Sequence, residues 1–279
     1  GFLPKIDKEK KRGYNENMEM QSAFKKYDRC ARDFAQYAKQ YDISDPQIAL
    51  KVKHTWKVVE VMKEICQSLH LDDQTTEEAL ITALLHDAGR FEQVARWHTF
   101  IDAKSTDHAK LSAEVIEKEG FLKDFSAQAQ NRILKAVFWH NKLAIPQDLS
   151  PEEALLAKLI RDADKTDIFR VFAQEDVQAA AESTVDQIAL MEITPKVYEE
   201  FMASHSINKD DRRNSLDIWV SILAFFYDMN FACAMKKARE QKYYRQHFDH
   251  TDFANPDTAQ KVKEMLEHLE QYLDAKMEE

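Results

Sequence analysis

Three cysteines, four glycines, six prolines and no long apolar run are the scarcities that bound this chain of 279 residues. Cys30, Cys66 and Cys233 are far apart and odd in number, which argues against a disulfide framework or a cysteine zinc cluster and points to a reducing compartment. With so few breakers, and with Ala, Leu, Glu, Lys and Gln abundant, the expectation is an all-α fold. No stretch approaches the roughly 18–20 apolar residues that span a bilayer, and the first residues carry no apolar signal core. A cytoplasmic location without membrane association is therefore expected. Positive charge is short as well: 39 Lys and Arg face 49 Asp and Glu, a net charge of -10. That disfavours broad adhesion to nucleic acid or anionic lipid, while a local basic pocket for a small phosphorylated molecule stays open.

Histidine and aspartate, by contrast, recur where apolar residues dominate. His54, the pair His86 and Asp87, then His108, His140 and Asp164 each fall on or beside an apolar helical stripe. Singly, each histidine reads as a core residue satisfied by a backbone carbonyl. Six such groups on successive helices would leave many buried polar atoms unsatisfied unless a common centre bound them. Imidazole and carboxylate are the ligands a borderline divalent metal takes. Five or six of them exceed the need of one tetrahedral zinc and suffice for two metals about 3.5–4 Å apart.

Periodicity places these groups on helices. Residues 17–42 form an amphipathic helix through Phe24, Tyr27, Cys30, Phe34 and Tyr37. The next starts near Pro46 and carries His54 on the side of Val58, Val61 and Ile65. A third, from about Thr76, is apolar nearly all round and ends in His86 and Asp87, with Gly89 as its expected cap. Residues 90–106 read as an ordered loop, followed by helices over about 107–119 and 126–140. Ser150 and Glu153 make a capping-box pattern opening a helix that runs through Asp164 to Phe172. Further helices are expected near 194–204, 213–241 and 256–277, and the His247 to Asp252 stretch as a polar loop. The organisation expected is a tail over 1–16, a metal-binding core over 17–175, and a helical extension over 176–279 packed on the same domain, its aromatic residues completing the core.

In the order His54, His86-Asp87, His108, His140, Asp164, over roughly residues 45–172, the chain resembles the HD superfamily of metal-dependent phosphohydrolases. The stretch Leu84-Leu85-His86-Asp87-Ala88-Gly89-Arg90-Phe91 is similar to that family's signature block, and Asp162-Ala163-Asp164-Lys165 to its closing block. Thr99, Phe100, Asp102, Ser105 and Asp107-His108-Ala109 are similar to a bacterial subgroup. The resemblance implies an all-helical bundle with additional C-terminal helices and a central metal site, held by His54, His86, Asp87 and Asp164 with His108 and His140 as the extra pair of two-metal members. Asp162 is the alternative to Asp164. Asp87 would also hold or accept a proton from the attacking water, and Arg90 and Lys165 would meet the phosphate, with Arg96, Lys104 and Lys142 as weaker candidates. Ala88-Gly89-Arg90 stands where some nucleotidase members carry an acidic residue, and no Gly-Tyr-Pro motif of the cyclic-dinucleotide branch is present.

The expected activity is hydrolysis of a phosphate ester of a nucleotide or other small molecule, with two divalent transition metal ions among iron, manganese, zinc and nickel, or magnesium. A di-iron oxygenase on the same scaffold and a non-catalytic ligand-sensing module are the alternatives, and a homodimer is compatible with the aromatic C-terminal helices.

Overall fold

Side-chain caps mark the start of most helices in the first part of the chain. The protein's structure is a computed structural model describing residues 24–174 and 183–278. After α1, Lys25–Ala38, Asp45 accepts from the Gln47 amide at 2.8 Å ahead of Pro46 and opens α2, Pro46–Ser68. Asp72 does the same for α3, Asp73–Leu85, through Thr75 at 2.9 Å. The His86-Asp87 step then leads directly into α4, Ala88–Trp97. Asp107 and Ser126 cap α5, His108–Glu119, and α6, Ala127–Trp139. Ser150 and Glu153 form the expected reciprocal box, at 3.0 and 3.2 Å, ahead of α7, Pro151–Gln174. Gly120 ends α5 at φ 67°, the left-handed conformation in which glycine carries no Cβ penalty.

All regular structure among the described residues is helical. The apolar helix α3 lies at the centre: Ala79, Leu80, Ile81, Ala83, Leu84 and Leu85 are buried, and α1, α2, α6 and α7 pack around it. The later chain adds α8, Val185–Ile188, α9, Pro195–Met202, α10, Ser215–Leu223, α11, Ala232–Gln241, α12, Gln246–Asp249, and α13, Pro256–Glu278. Helix α11 packs on α7 and α2, and Trp219, Phe226 and Tyr244 continue the core that Phe169 and Phe172 begin.

Four local expectations need correction. Residues 90–106 are not a loop throughout: α4 occupies most of their first half, burying Phe91 and Val94, and Asp102–Lys104 form a 3-10 turn. Gly89 is not a cap but lies inside α4 against α5, where a Cβ would stand 2.5 Å from the Ser112 backbone nitrogen. The helix expected over 213–241 is broken by a 3-10 turn, Ala224–Asp228, and by extended residues around Met229. The stretch read as a polar loop near His247 is α12, with Phe248 buried and the His247 ring stacked on Trp219. The 1–16 tail, the start of the first expected helix and the 175/176 boundary lie outside the described residues.

Candidate metal centre

Five helical segments bring the six predicted residues to one place. His54 comes from the middle of α2, His86 and Asp87 from the α3–α4 junction, and His108 from the first residue of α5. His140 is the C-cap of α6, and Asp164 lies within α7. Asp87 leaves the helical region at φ -108° and ψ 18°, so two adjacent side chains can converge where regular geometry stops.

Each histidine turns Nε2 inward and fixes Nδ1 outward. Nδ1 of His54 meets Asp167 at 2.7 Å and that of His108 meets Asp102 at 2.7 Å. Nδ1 of His86 and His140 meet the carbonyls of Ala83 at 2.8 Å and Val137 at 2.6 Å. Such outer partners set the tautomer and leave the Nε2 lone pair free to ligate. Asp87 lies between the four rings. Its Oδ2 is 3.6 Å from His86 and 3.8 Å from His54, and its Oδ1 is 3.7 Å from both His108 and His140. Asp164 Oδ1 joins the first pair, 3.1 Å from His54 and 3.5 Å from His86. The Nε2 atoms of His108 and His140 are 3.2 Å apart.

Burial makes this arrangement costly without a cation. His54, His86, Asp87, His108 and His140 are all at most 5% exposed, and Nε2 of His54, Nε2 of His86 and Oδ1 of Asp87 have no hydrogen-bond partner. Orphaned atoms aimed at one point are what a divalent metal satisfies. Two clusters meet ligand spacing there: His54, His86 and Asp164, and His86, Asp87 and His140. Burial, with Arg90 alongside, pushes the His108 imidazole down to about 3, so the ring is a neutral donor. Burial also lowers His140, against the pull of Asp87. For Asp87, burial acts upward, but Lys51 and His86 outweigh it and hold the carboxyl well below its usual range. Asp164 is likewise held well below that range by His54 and His86, against burial. Against burial and Lys51, the Asp164 and Asp167 carboxylates raise His54. Anionic carboxylates facing neutral rings at His108 and His140 fit a metal.

The other predicted residues divide. Arg90 is beside the centre: its Nε is 3.7 Å from Asp87 Oδ1, while Nη1 donates to the Phe100 carbonyl at 2.7 Å and Asp102 at 3.2 Å. Lys165 is buried across the cleft, 2.6 Å from Asp228 and over the Phe225 ring. Lys142 pairs with Asp107 at the cleft edge, Lys104 lies on the 3-10 turn, and Arg96 pairs with Glu92 on the surface. Asp162 points elsewhere, accepting the backbone N–H groups of Asn230 and Phe231 at 2.8 Å. His247 and His250 donate to the carbonyls of Phe172 and Gln246 and share no centre.

Sequence reasoning missed Lys51 and Asp167. Lys51 Nζ sits 2.7 Å from Asp87 Oδ2, and Asp167 orients His54. Each lies three residues from a predicted ligand, Lys51 before His54 and Asp167 after Asp164, so helical spacing could have found both. Over the centre opens a cleft of about 690 Å³ whose far wall includes Ile207, Lys209, Ser221, Phe225 and Asp228. The C-terminal part thus lines the cleft as well as completing the core.

Among the described residues no helix is long and apolar enough to cross a membrane. No curated protein and no solved structure matches the chain. Residues 52–168 match the family model of the HD domain, a family made up mostly of metal-dependent hydrolases, and every one of the converging residues falls within that span. Residues 52–168 therefore carry an HD domain.

Proposed function

We propose that the protein is a metal-dependent phosphohydrolase acting on a phosphate ester of a nucleotide or another small molecule, with two divalent transition metal ions. The observation that carries this is the division of Asp87: one carboxylate oxygen faces His54 and His86, and the other faces His108 and His140. A carboxylate whose two oxygens serve different ligand sets is suited to bridging. His54, His86, Asp164 and Asp87 Oδ2 would hold one ion, and His108, His140 and Asp87 Oδ1 the other.

Bound ions supply Lewis acidity, which lowers the pKa of water and offsets phosphoryl charge. The chain's own groups arrange the rest. Lys51 and Arg90 flank Asp87 on the cleft side, each over the Phe100 ring at 5.2 and 5.5 Å, which limits their freedom. Arg90 is anchored through Nη1, leaving Nε turned toward Asp87 and a phosphoryl group placed there. Asp87 is the carboxylate positioned to take or hold a proton of the attacking water. Lys165 offers a point charge from the opposite wall, steadied by Asp228.

The test is elemental analysis of protein purified without chelator, for wild type, Asp87→Ala and His108→Ala, followed by a panel of phosphomonoesters and diesters. Close to two transition metals per chain, falling in both variants, with hydrolysis of some member of the panel, is the expected result. Fully metal-loaded protein that hydrolyses nothing in the panel would sink the proposal. Substrate-dependent oxygen uptake by the ferrous form would replace it with the oxygenase reading.

A further inference from the structure

Arg161 lies one turn before Asp164 on α7, is 2% exposed, and touches none of the six converging side chains through a hydrogen bond. Its guanidinium instead faces the end of α6. Nη1 donates to the carbonyls of Trp139 at 2.9 Å, His140 at 3.3 Å and Lys142 at 2.6 Å, and Nη2 to that of Leu143 at 3.3 Å. Trp139 and the C-cap His140 stand at the helix end, where the last carbonyls have no intrahelical partner, and Lys142 and Leu143 follow in the turn. Helix α6 has no basic residue in its last turn, so α7 provides the cation that its dipole and carbonyls call for.

The turn so gripped carries His140. It also carries Asn141 and Lys142, both donating to Asp107, the residue that caps α5 immediately before His108. One guanidinium therefore holds the backbone from which His140 is aimed, and through the Asn141 and Lys142 side chains that turn is tied to Asp107, next to His108. The other half of the centre has separate supports: Asp167 orients His54 and the Ala83 carbonyl orients His86. Arg161 itself is held by Asp228, on the 3-10 turn Ala224–Asp228, which also takes Lys165 at 2.6 Å.

We propose that Arg161, anchored by Asp228 from the C-terminal part of the chain, is a positioning residue for the His108–His140 half of the centre and for that half alone. The inference rests on the two-metal reading above. Lysine cannot substitute, because a compact ammonium reaches one or two acceptors where the planar fork reaches carbonyls on both sides of His140 and a carboxylate besides. Outer-shell losses of this kind cost about 10–100-fold in metal affinity.

The experiment titrates the metal-free full-length chain with Mn²⁺, following affinity by competition with a chelating dye and ion pairing by electron paramagnetic resonance. Wild type is expected to take two ions and show an exchange-coupled spectrum. Arg161→Lys should weaken the second ion by about 10–100-fold, leave the first at its wild-type affinity, and show an uncoupled spectrum at one equivalent. Asp228→Asn, which keeps an accepting oxygen but removes the charge, should move the second ion in the same direction by less, and decides the matter if Arg161→Lys does not fold. Folded variants that bind both ions as wild type does, or that weaken both alike, overturn the inference. A wild type that takes up a single ion overturns the two-metal reading itself.

Discussion

Replacing Gly89 by alanine would place a methyl group 2.5 Å from the Ser112 nitrogen and 2.7 Å from the Leu111 carbonyl carbon. Both neighbours are backbone of α5, so no side chain can swing aside; α4 and α5 must separate by roughly 1 Å to restore ordinary contact. Forced overpacking costs about 1–3 kcal/mol, and loosening the Gly89 N–H bond to Ser112 Oγ, now 2.9 Å, adds about 1 kcal/mol. Alanine returns about 1 kcal/mol through its better helix propensity. The net loss is about 2 kcal/mol, which for a chain of this size lowers Tm by roughly 4–8 °C. Thermal unfolding of chelator-treated protein by circular dichroism measures this without a bound metal adding its own stabilisation. Since α4 carries Arg90 and α5 begins with His108, the same separation should also weaken metal uptake. A Gly89→Ala protein as stable as wild type would refute the close helix crossing.

Asp167→Asn should reduce affinity for the ion facing His54 by about 10–100-fold, since an amide no longer enforces the tautomer with Nε2 free; the same competition titration reads it. Thiol chemistry offers an independent check on packing. Burial pushes the Cys30 and Cys66 thiols up to about 12, so at pH 8 their thiolate fraction is on the order of one in ten thousand. A disulfide reagent at that pH should label Cys233 in the native protein and reach all three thiols only after denaturation. Rapid native labelling of Cys30, whose Sγ lies 3.0 Å from the Phe121 carbonyl, would contradict the α1 packing.

The sequence made the six converging residues legible because each stands out against its surroundings: a polar group on an apolar stripe, repeated at the ends of successive helices. The Ser150–Glu153 box was readable for the same local reason. Gly89 misled because, in sequence, a stop signal and a close crossing look alike, and reading it as a stop hid the Phe91–Val94 spacing of α4. The break after Asp228 had no local mark at all. Its amides at Asn230 and Phe231 are satisfied by Asp162, 68 and 69 residues earlier, so only the tertiary structure reveals it. Lys51 and Asp167 fell between these cases, visible by spacing but uninformative by type.

The six residues at the centre are spread from position 54 to position 164, and only His86 and Asp87 are neighbours. An extended chain would have to close several loops of 20 residues or more before any multidentate chelate existed, so the unfolded ensemble competes poorly for the ion. A metal bound there would then act as a ligand of the native state alone, worth about 2.7 kcal/mol at a hundred times its Kd. Metal starvation in a cell would register as loss of the polypeptide through proteolysis, and not only as loss of turnover.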